Sequence, residues 1–270
     1  MQKKWEIAIL GAGTIGAAIA DGLVQSGRYA YSQIILTRRD KKKIKRLQEM
    51  GFNATRDNRT AVDNADTILI AVEPQNINGL LEEIKPYIRS GQLVISVVTG
   101  VKIEDIAKEL GKDVSIVRAM PNTAIAIRES MTCLCAANSD NGALKTAESI
   151  FRAIGATEVI EENNMTAATA LAACGVAFFL RAVRAASQGG IEIGFDADKA
   201  LKIAAQTAKG AASLLIKNEK HPEFEIDKVT TPRGVTISGL NQMEHAGFSS
   251  AMITGIVTSW TKASKLYKRK

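Results

Sequence analysis

The feature that most constrains the fold of this chain is a glycine-rich segment near its start, Gly11-Ala12-Gly13-Thr14-Ile15-Gly16. An apolar run over residues 6–10 precedes it, and apolar residues follow at four-residue spacing, as on one stripe of a helix. A Gly-x-Gly-x-x-Gly segment between a strand and a helix is typical of a dinucleotide-binding βαβ unit. Its glycines permit a tight turn, close approach of a pyrophosphate and close packing of helix on strand. All the residues of this segment are therefore predicted cofactor contacts.

The end of the second predicted strand indicates which nicotinamide cofactor is bound. An NAD site usually has Asp or Glu at this point, which takes the ribose hydroxyls. Here Thr37 is followed by Arg38 and Arg39, and seven of the nine residues from Arg38 to Arg46 are basic. A guanidinium group pairs well with a phosphate. Thr37, Arg38 and Arg39 therefore favour NADPH, with NADH as the open alternative.

Strand and helix patterns alternate from residue 6 to about residue 154, which predicts a doubly wound parallel sheet. From residue 163 onward the strand patterns stop, and helices rich in alanine and glycine follow. We predict an α/β fold, with an N-terminal Rossmann domain over 1–161 and a C-terminal all-α domain over 162–270. Because such helices make a thin core by themselves, we expect the second domain to pack against a second subunit.

The same patterns predict the individual elements. Strands are predicted over 6–10, 33–37, 66–72, 93–97, 114–118 and 131–136. Helices are predicted from the glycine-rich segment to about residue 27, and over 40–50, 103–110, 143–154, 163–189 and 196–218. A loop around Pro222 and Pro232, and a last helix or pair of helices from Asn241, complete the chain.

Composition excludes several classes of site. The three cysteines lack the Cys-x-x-Cys spacing and there are two histidines, so we expect buried thiols in a reducing compartment and no metal site. The net charge is +7, but aromatic residues make up 5% of the chain and no nucleic-acid motif is present. We therefore expect a small-molecule substrate and no nucleic-acid partner.

One uncharged stretch, from Met165 to Leu180, invites a membrane interpretation. It has 16 residues, whereas a membrane-spanning helix needs about 20 strongly apolar ones. We therefore expect a buried helix and no membrane association. The first residues show no charged segment followed by an apolar segment and a cleavage site, so we expect a cytoplasmic protein.

Several separated segments resemble those of the pyrroline-5-carboxylate reductase family, and together they extend over nearly the whole chain. The glycine-rich segment resembles the family's first turn, and Arg118-Ala119-Met120-Pro121-Asn122-Thr123 resembles its most distinctive internal motif. The remaining matches are Asp57-Asn58, Ala71-Val72-Glu73-Pro74-Gln75 and Val229-Thr230-Thr231-Pro232-Arg233-Gly234-Val235-Thr236.

The resemblance implies a Rossmann domain followed by a helical domain that interleaves with that of a second subunit in a homodimer or larger oligomer. It implies reduction of L-1-pyrroline-5-carboxylate to L-proline by NADPH or NADH, the last step of proline biosynthesis. The further cofactor contacts that it implies are Asn58, Ala71, Val72, Glu73, Pro121 and Asn122.

The resemblance also assigns a substrate loop. It implies that the Thr231 hydroxyl and the amides of Gly234 and Val235 hold the substrate carboxylate, and that Thr236 hydrogen-bonds the ring nitrogen as the catalytic residue. Such groups suit this chemistry, because a protonated imine is already electrophilic and hydride transfer to it needs orientation more than a strong acid. Amides and hydroxyls can hold a carboxylate without a lysine.

The chain departs from the family pattern in places, and other functions stay open. Residues 172–177 have lost two hydroxyls and a proline, and the loop has Arg233 and Val235 where the family has glycine and commonly threonine or alanine. One alternative is a relative that reduces another cyclic imine or a keto acid; another is an NADP-binding regulator without turnover. A β-hydroxyacid dehydrogenase would need a lysine in the long helix from Asn163 to Gly190, which contains none.

Overall fold

The fold is described from a computed structural model that covers residues 5–111, 113–137 and 141–266. The extreme ends, which include the residues on which the expected location rests, lie outside that description. Contacts between residues divide the chain into two compact units. The sheet unit comprises residues 1–174 and 259–270, and the helical unit comprises residues 175–258.

The sheet unit is built on one eight-stranded sheet in the order β3-β2-β1-β4-β5-β6-β7-β8. The strands are β1 (Trp5–Leu10), β2 (Ile34–Thr37), β3 (Asn53–Thr55), β4 (Ala65–Ile70), β5 (Leu93–Ser96), β6 (Ser115–Met120), β7 (Ser130–Ala136) and β8 (Gly155–Val159). Neighbouring strands are parallel except β7, which pairs antiparallel with β6. The order of the first six strands is that of a dinucleotide-binding fold, whose ligand crevice lies where the strand order reverses, between β1 and β4.

Helices connect the strands and fill the rest of the chain. In the sheet unit they are α1 (Thr14–Gln25), α2 (Lys41–Glu49), α3 (Asn58–Asp63), α4 (Ile77–Ile84), α5 (Ile103–Leu110), α6 (Asn141–Arg152) and α7 (Met165–Ala168). They are followed by α8 (Gly175–Glu192), α9 (Ala197–Asn218), α10 (Pro222–Val229), α11 (Val235–His245) and α12 (Phe248–Ala263). The α/β fold with a C-terminal helical part is thereby confirmed.

Two apolar clusters cover the two faces of the sheet. One contains residues of α1 and α6, including the fully buried Ile19 and Phe151. The other contains residues of α3, α4 and α5, including the fully buried Ile77 and Ile106. Side chains on both faces of the parallel strands are thus removed from water, as a doubly wound sheet requires.

A π-helical turn, Thr169–Ala173, interrupts the long helical segment between α7 and α8. In it the Cys174 amide donates to the Thr169 carbonyl at 2.9 Å, five residues back. The Ala172 carbonyl accepts a hydrogen bond from Asn122 Nδ2 at 3.3 Å. A π turn inside an α-helix is rare and often occurs near functional residues.

The helical unit leaves many large apolar side chains exposed. Within α8 to α11 the buried residues are Gly175, Ser187 and Ala200, all of them small. Phe179 and Leu180 are 63% and 62% exposed. The expectation that the whole stretch from Met165 to Leu180 is buried is therefore wrong for the single chain, since these two large side chains at its end are mostly exposed.

The structure corrects several sequence-based boundaries. A helix, α10, occupies most of the predicted loop around Pro222, and α11 begins at Val235 rather than Asn241. The short elements β3, α3, α4 and β8 were not predicted. The antiparallel β7 also departs from an all-parallel sheet, because strand direction depends on the connection that precedes it and not on the strand's own residues.

Candidate cofactor and substrate sites

A cavity of about 570 Å³ opens beside the glycine-rich turn, at the carboxyl ends of β1, β2 and β4. Its volume lies in the ordinary range of small-molecule sites. Ten of the predicted cofactor residues line it: Gly11, Ala12, Gly13, Thr37, Arg38, Arg39, Asn58, Ala71, Val72 and Glu73.

The glycine-rich turn is held against the sheet by backbone contacts. The amides of Gly11 and Ala12 both donate to the Thr37 carbonyl, at 3.2 and 2.8 Å. Gly11 has φ +94°, and a Cβ there would lie 2.7 Å from the Ala71 carbonyl oxygen; a Cβ on Gly16 would lie 2.5 Å from the Gly11 carbonyl oxygen. These two glycines are therefore required by the protein's own packing.

Gly13 differs from the other two glycines of the turn. An added Cβ there would meet nothing closer than the Gly11 carbonyl oxygen at 3.9 Å. Gly13 caps the N-terminus of α1 without a side-chain hydrogen bond, and the first amides of a helix have no partner within it. The open space and the helix N-terminus together form a cradle that fits a pyrophosphate.

The basic side of the cavity lies at the end of β2. Arg38 is half-buried and donates from Nη1 to the Ala12 carbonyl, which places its guanidinium beside the glycine-rich turn. Arg39 is exposed. Both side chains line the cavity where a 2′-phosphate on the adenosine ribose would need a positive partner. The residues present thus fit a phosphorylated dinucleotide.

An acidic residue, Asp40, also lines this side of the cavity. It caps the N-terminus of α2: its Oδ1 accepts from the amides of Lys42 and Lys43, at 2.9 and 3.3 Å. These bonds, the one from Lys43 above all, lower the pKa of the Asp40 carboxyl. The carboxylate closest to the end of β2 is thus engaged in capping a helix.

The cavity is also lined by residues that were not among the predicted contacts. They are Asn76, Gly79, Leu80 and Glu83, together with Gln75 at the end of the family-like segment, and they belong to α4 or to the turn before it. Asn58, at the start of α3, donates from Nδ2 to Glu83 Oε2 at 3.1 Å. The sequence contains a pattern that predicts this helix, because apolar residues at 77, 80, 81 and 84 follow Pro74 with helical spacing.

Five predicted cofactor residues do not line this cavity: Thr14, Ile15, Gly16, Pro121 and Asn122. Asn122 is 7% exposed and serves as a structural link. Its Oδ1 accepts from the Ala124 amide at 3.0 Å, and its Nδ2 reaches the π turn at Ala172. Nearby, Arg118 pairs with Glu162 at 3.0 Å, and Glu162 also accepts from the Ile103 amide at 2.7 Å.

The predicted substrate loop lies in the helical unit, immediately before α11. The Gly234 amide donates to the Thr231 carbonyl at 2.8 Å, and a Cβ on Gly234 would lie 2.5 Å from Thr231 Oγ1. Gly234 caps α11, so Val235 and Thr236 are its first two residues. Arg233 has φ +62°, a left-handed conformation that favours glycine. The loop thus presents hydroxyls beside the N-terminus of a helix.

The cysteines and histidines of the described residues form no metal centre. Cys133 and Cys135 are buried, and Cys174 is half-buried. Burial raises the pKa of the Cys135 thiol to about 11. Among the described residues, no group of three His, Cys, Asp or Glu side chains is placed to hold a metal ion.

The sheet order, the glycine-rich turn and the cavity define a dinucleotide-dependent oxidoreductase of the Rossmann class. Residues 6–100 match the family described as NADP oxidoreductase coenzyme F420-dependent, and residues 162–266 match pyrroline-5-carboxylate reductase dimerisation. Together with a pyrroline-5-carboxylate reductase that is 49% identical over 98% of this chain, these matches show that the chain belongs to the pyrroline-5-carboxylate reductase family.

Relatives are similar along the whole chain. Pyrroline-5-carboxylate reductase 1 of Dictyostelium discoideum is 52% identical over 98% of this chain, which spans 50% of that protein's length. Pyrroline-5-carboxylate reductase 2 of the same organism is 49% identical over 98% of this chain and 94% of its own. The solved pyrroline-5-carboxylate reductase of Coxiella burnetii is 31% identical with a TM-score of 0.89, covering 99% of this chain and 100% of its own.

The match to a dimerisation family bears on the long helical segment. By length and composition alone, the 31 residues of Glu162–Glu192 could cross a membrane, and 17% of the apolar window is buried. The same residues lie within the part of the chain that matches the dimerisation family. The chain is therefore a subunit of a homodimer or larger oligomer.

Proposed function

We propose that this chain reduces L-1-pyrroline-5-carboxylate to L-proline with NADPH, as the last step of proline biosynthesis. One observation carries the proposal: a member of this family retains both an open dinucleotide cavity and a hydroxyl-rich loop at the start of α11. The Arg38 and Arg39 side chains at the end of β2 support NADPH as the preferred cofactor, with NADH as the weaker one.

Reduction of the imine places a hydride on the ring carbon and leaves an amine at the ring nitrogen, which already carries a proton. When bound, the reduced nicotinamide supplies that hydride. The Gly234 amide, which the resemblance assigns to the substrate carboxylate, already donates to the Thr231 carbonyl, so the Thr231 hydroxyl and the Val235 amide are the donors that the loop offers to a carboxylate. The Thr236 hydroxyl accepts from the ring N–H and orients the imine.

The direct assay mixes the purified protein with NADPH and DL-pyrroline-5-carboxylate and follows the absorbance of the cofactor. Oxidation well above the rate without substrate is expected, and proline is expected as the product. Cofactor binding without oxidation would contradict the proposal and favour either a relative with another cyclic imine or keto acid as substrate, or a regulator without turnover.

Changing Thr236 to valine tests the role of the hydroxyl. Thr236→Val should lower kcat by about 10²-fold, the usual value of one well-placed polar group in the transition state, while the Kd for NADPH stays within about twofold. Thr230→Val is the matched control, since it removes a neighbouring hydroxyl that bonds the Asp227 carbonyl. Equal loss in both variants, or weakened NADPH binding in Thr236→Val, would contradict this role.

The assembly that we propose is a soluble, cytoplasmic homodimer in which the C-terminal helices of the two subunits interleave. The domain boundary is proposed at 161/162, where the sheet-forming part of the sequence ends and the match to the dimerisation family begins. Exposed apolar side chains along α8 and α9, such as Leu180 and Ile216, support an extensive interface.

A further inference from the structure

No contact within the protein explains why position 79 is a glycine. Gly79 is the third residue of α4 and lines the cofactor cavity. A Cβ built there would meet no atom within 4 Å, and the backbone is not in a left-handed conformation. Glycine inside a helix is less favourable than alanine, because it loses more conformational freedom on folding. Neither packing nor backbone geometry therefore requires this glycine.

The position of Gly79 in the cavity indicates which part of a ligand faces it, and this step rests on the proposed cofactor. The cradle at Gly13 takes the pyrophosphate, and Arg38 and Arg39 take the 2′-phosphate. The adenine base is the part of the adenosine that remains, and the lining not assigned to the phosphates includes Gly79 and Glu83 of α4. A carboxylate on that part of the lining disfavours a phosphate and suits a hydrogen-bond donor.

Glu83 is held in position by its neighbour. Asn58 Nδ2 donates to Glu83 Oε2 at 3.1 Å, which fixes the carboxylate at the cavity wall. An ionised carboxylate accepts hydrogen bonds and donates none. It can therefore accept from the 6-amino group of adenine, whereas the 6-oxo group of hypoxanthine offers a second acceptor and would be repelled.

We propose that α4 carries the recognition surface for the adenine base of the cofactor. Gly79 lacks a side chain so that the base can lie against the helix, and Glu83, oriented by Asn58, accepts a hydrogen bond from the 6-amino group. Gly79 and Glu83 are thus residues that determine which dinucleotides this chain binds.

The first test fills the space beside Gly79. Gly79→Leu should raise the Kd for NADPH, measured by fluorescence titration, at least about tenfold, because the new side chain occupies the place of the base. Gly142→Leu is the matched control: Gly142 lies in the first turn of α6, a Cβ there also meets nothing within 4 Å, and it does not line the cavity. It should leave the Kd unchanged.

A smaller substitution keeps the test decisive if the leucine variant does not fold. Gly79→Ala and Gly142→Ala should both raise the melting temperature of the ligand-free protein, since alanine favours a helix more than glycine does. Gly79→Ala alone should also weaken NADPH binding, by a few-fold. An unchanged NADPH affinity in the folded Gly79 variants would overturn the assignment of this surface.

The second test compares NADPH with its reduced hypoxanthine analogue. The unaltered protein should prefer the adenine form about tenfold, the value of one hydrogen bond to a charged acceptor, and Glu83→Ala should remove that preference. Retention of the preference in Glu83→Ala would overturn the role of Glu83. If the unaltered protein does not bind NADPH at all, the proposed function is wrong. If the unaltered protein binds NADPH and the Gly79 and Glu83 variants bind it equally well, only the assignment of the adenine surface is wrong.

Discussion

The sheet unit and the helical unit of this chain differ in how far their large apolar side chains are buried. In the sheet unit two clusters cover both faces of the sheet, and large side chains such as Ile19, Phe151 and Ile77 are fully buried. In α8 to α11 the buried residues are small, while Phe179 and many other large residues are exposed. The sheet unit has a core of its own, whereas we propose that the helical unit completes its core against a second subunit.

This difference also separates the two candidate sites. The cofactor cavity is lined by residues of the sheet unit alone, on strands and helices whose cores are complete. The proposed substrate loop belongs to the helical unit, whose exposed apolar side chains we propose to be covered by a partner. We therefore expect changes at the subunit interface to affect substrate turnover more than cofactor binding.

The largest effect is expected from a charge on the exposed apolar surface of the helical unit. Phe179→Asp should weaken the dimer at least about hundredfold, since a buried carboxylate replaces an aromatic side chain that is 63% exposed in the single chain. Analytical ultracentrifugation measures the change. Ile127→Asp, at a 71% exposed apolar residue of the sheet unit, is the control and should leave the assembly intact. If the two variants had the same oligomeric state, the exposed apolar side chains of the helical unit would not differ in role from those of the sheet unit.

A smaller effect is expected from the basic side of the cofactor cavity. Arg38→Ala should raise the Kd for NADPH about tenfold and that for NADH much less, because in the proposed site the guanidinium pairs with the 2′-phosphate, which NADH lacks. The oligomeric state should not change, since Arg38 lies in the sheet unit. Lys45→Ala removes a charge from the same basic cluster at an exposed position outside the cavity, and it is the control. Equal weakening of both cofactors would contradict the NADPH preference.

A pH-dependent effect on stability is expected from the buried core of the sheet unit. Burial raises the pKa of Cys135 to about 11, while an unfolded thiol ionises near 9. Between these values the unfolded chain loses a proton that the folded chain keeps. The free energy of unfolding should therefore fall as the pH rises, by up to about 1.4 kcal/mol per pH unit from this group.

Urea unfolding on both sides of that pH window checks this prediction. Cys135→Ala should show a shallower decrease in the free energy of unfolding than the unaltered protein, and the half-buried Cys174→Ala should show the same decrease as the unaltered protein. If the two variants gave equal slopes, the Cys135 thiol would not be the group that titrates.

The helices and strands that could be predicted are those long enough to show a full period of apolar residues. The helix α5 matches its predicted range, and α9 begins after Asp196 as expected. The strand β3 has three residues and α3 has six, too few to show a period. The helix α4 does show a helical period in its buried apolar residues, and it is the helix that carries Gly79 and Glu83.

The candidate site was predictable where glycine and charge mark it. Residues 11–13 and Arg38 line the cavity because a turn and a strand end bring them together. Asn122 could not be placed from sequence, because its contact with Ala172 crosses fifty residues of chain and depends on the π turn. The role of Asp40 as a helix cap likewise depends on where α2 begins.

The π turn has a consequence for how the long helical segment presents its side chains. An α-helix rotates by about 100° per residue, so a turn that accommodates one extra residue shifts the phase of all that follows by about that angle. Met165 and Ala168, before the turn, face a cluster that contains Met120 and Cys133 of the sheet. A helical wheel drawn straight through residues 162–192 would therefore misplace, by about that angle, the side chains that follow the turn relative to those that precede it.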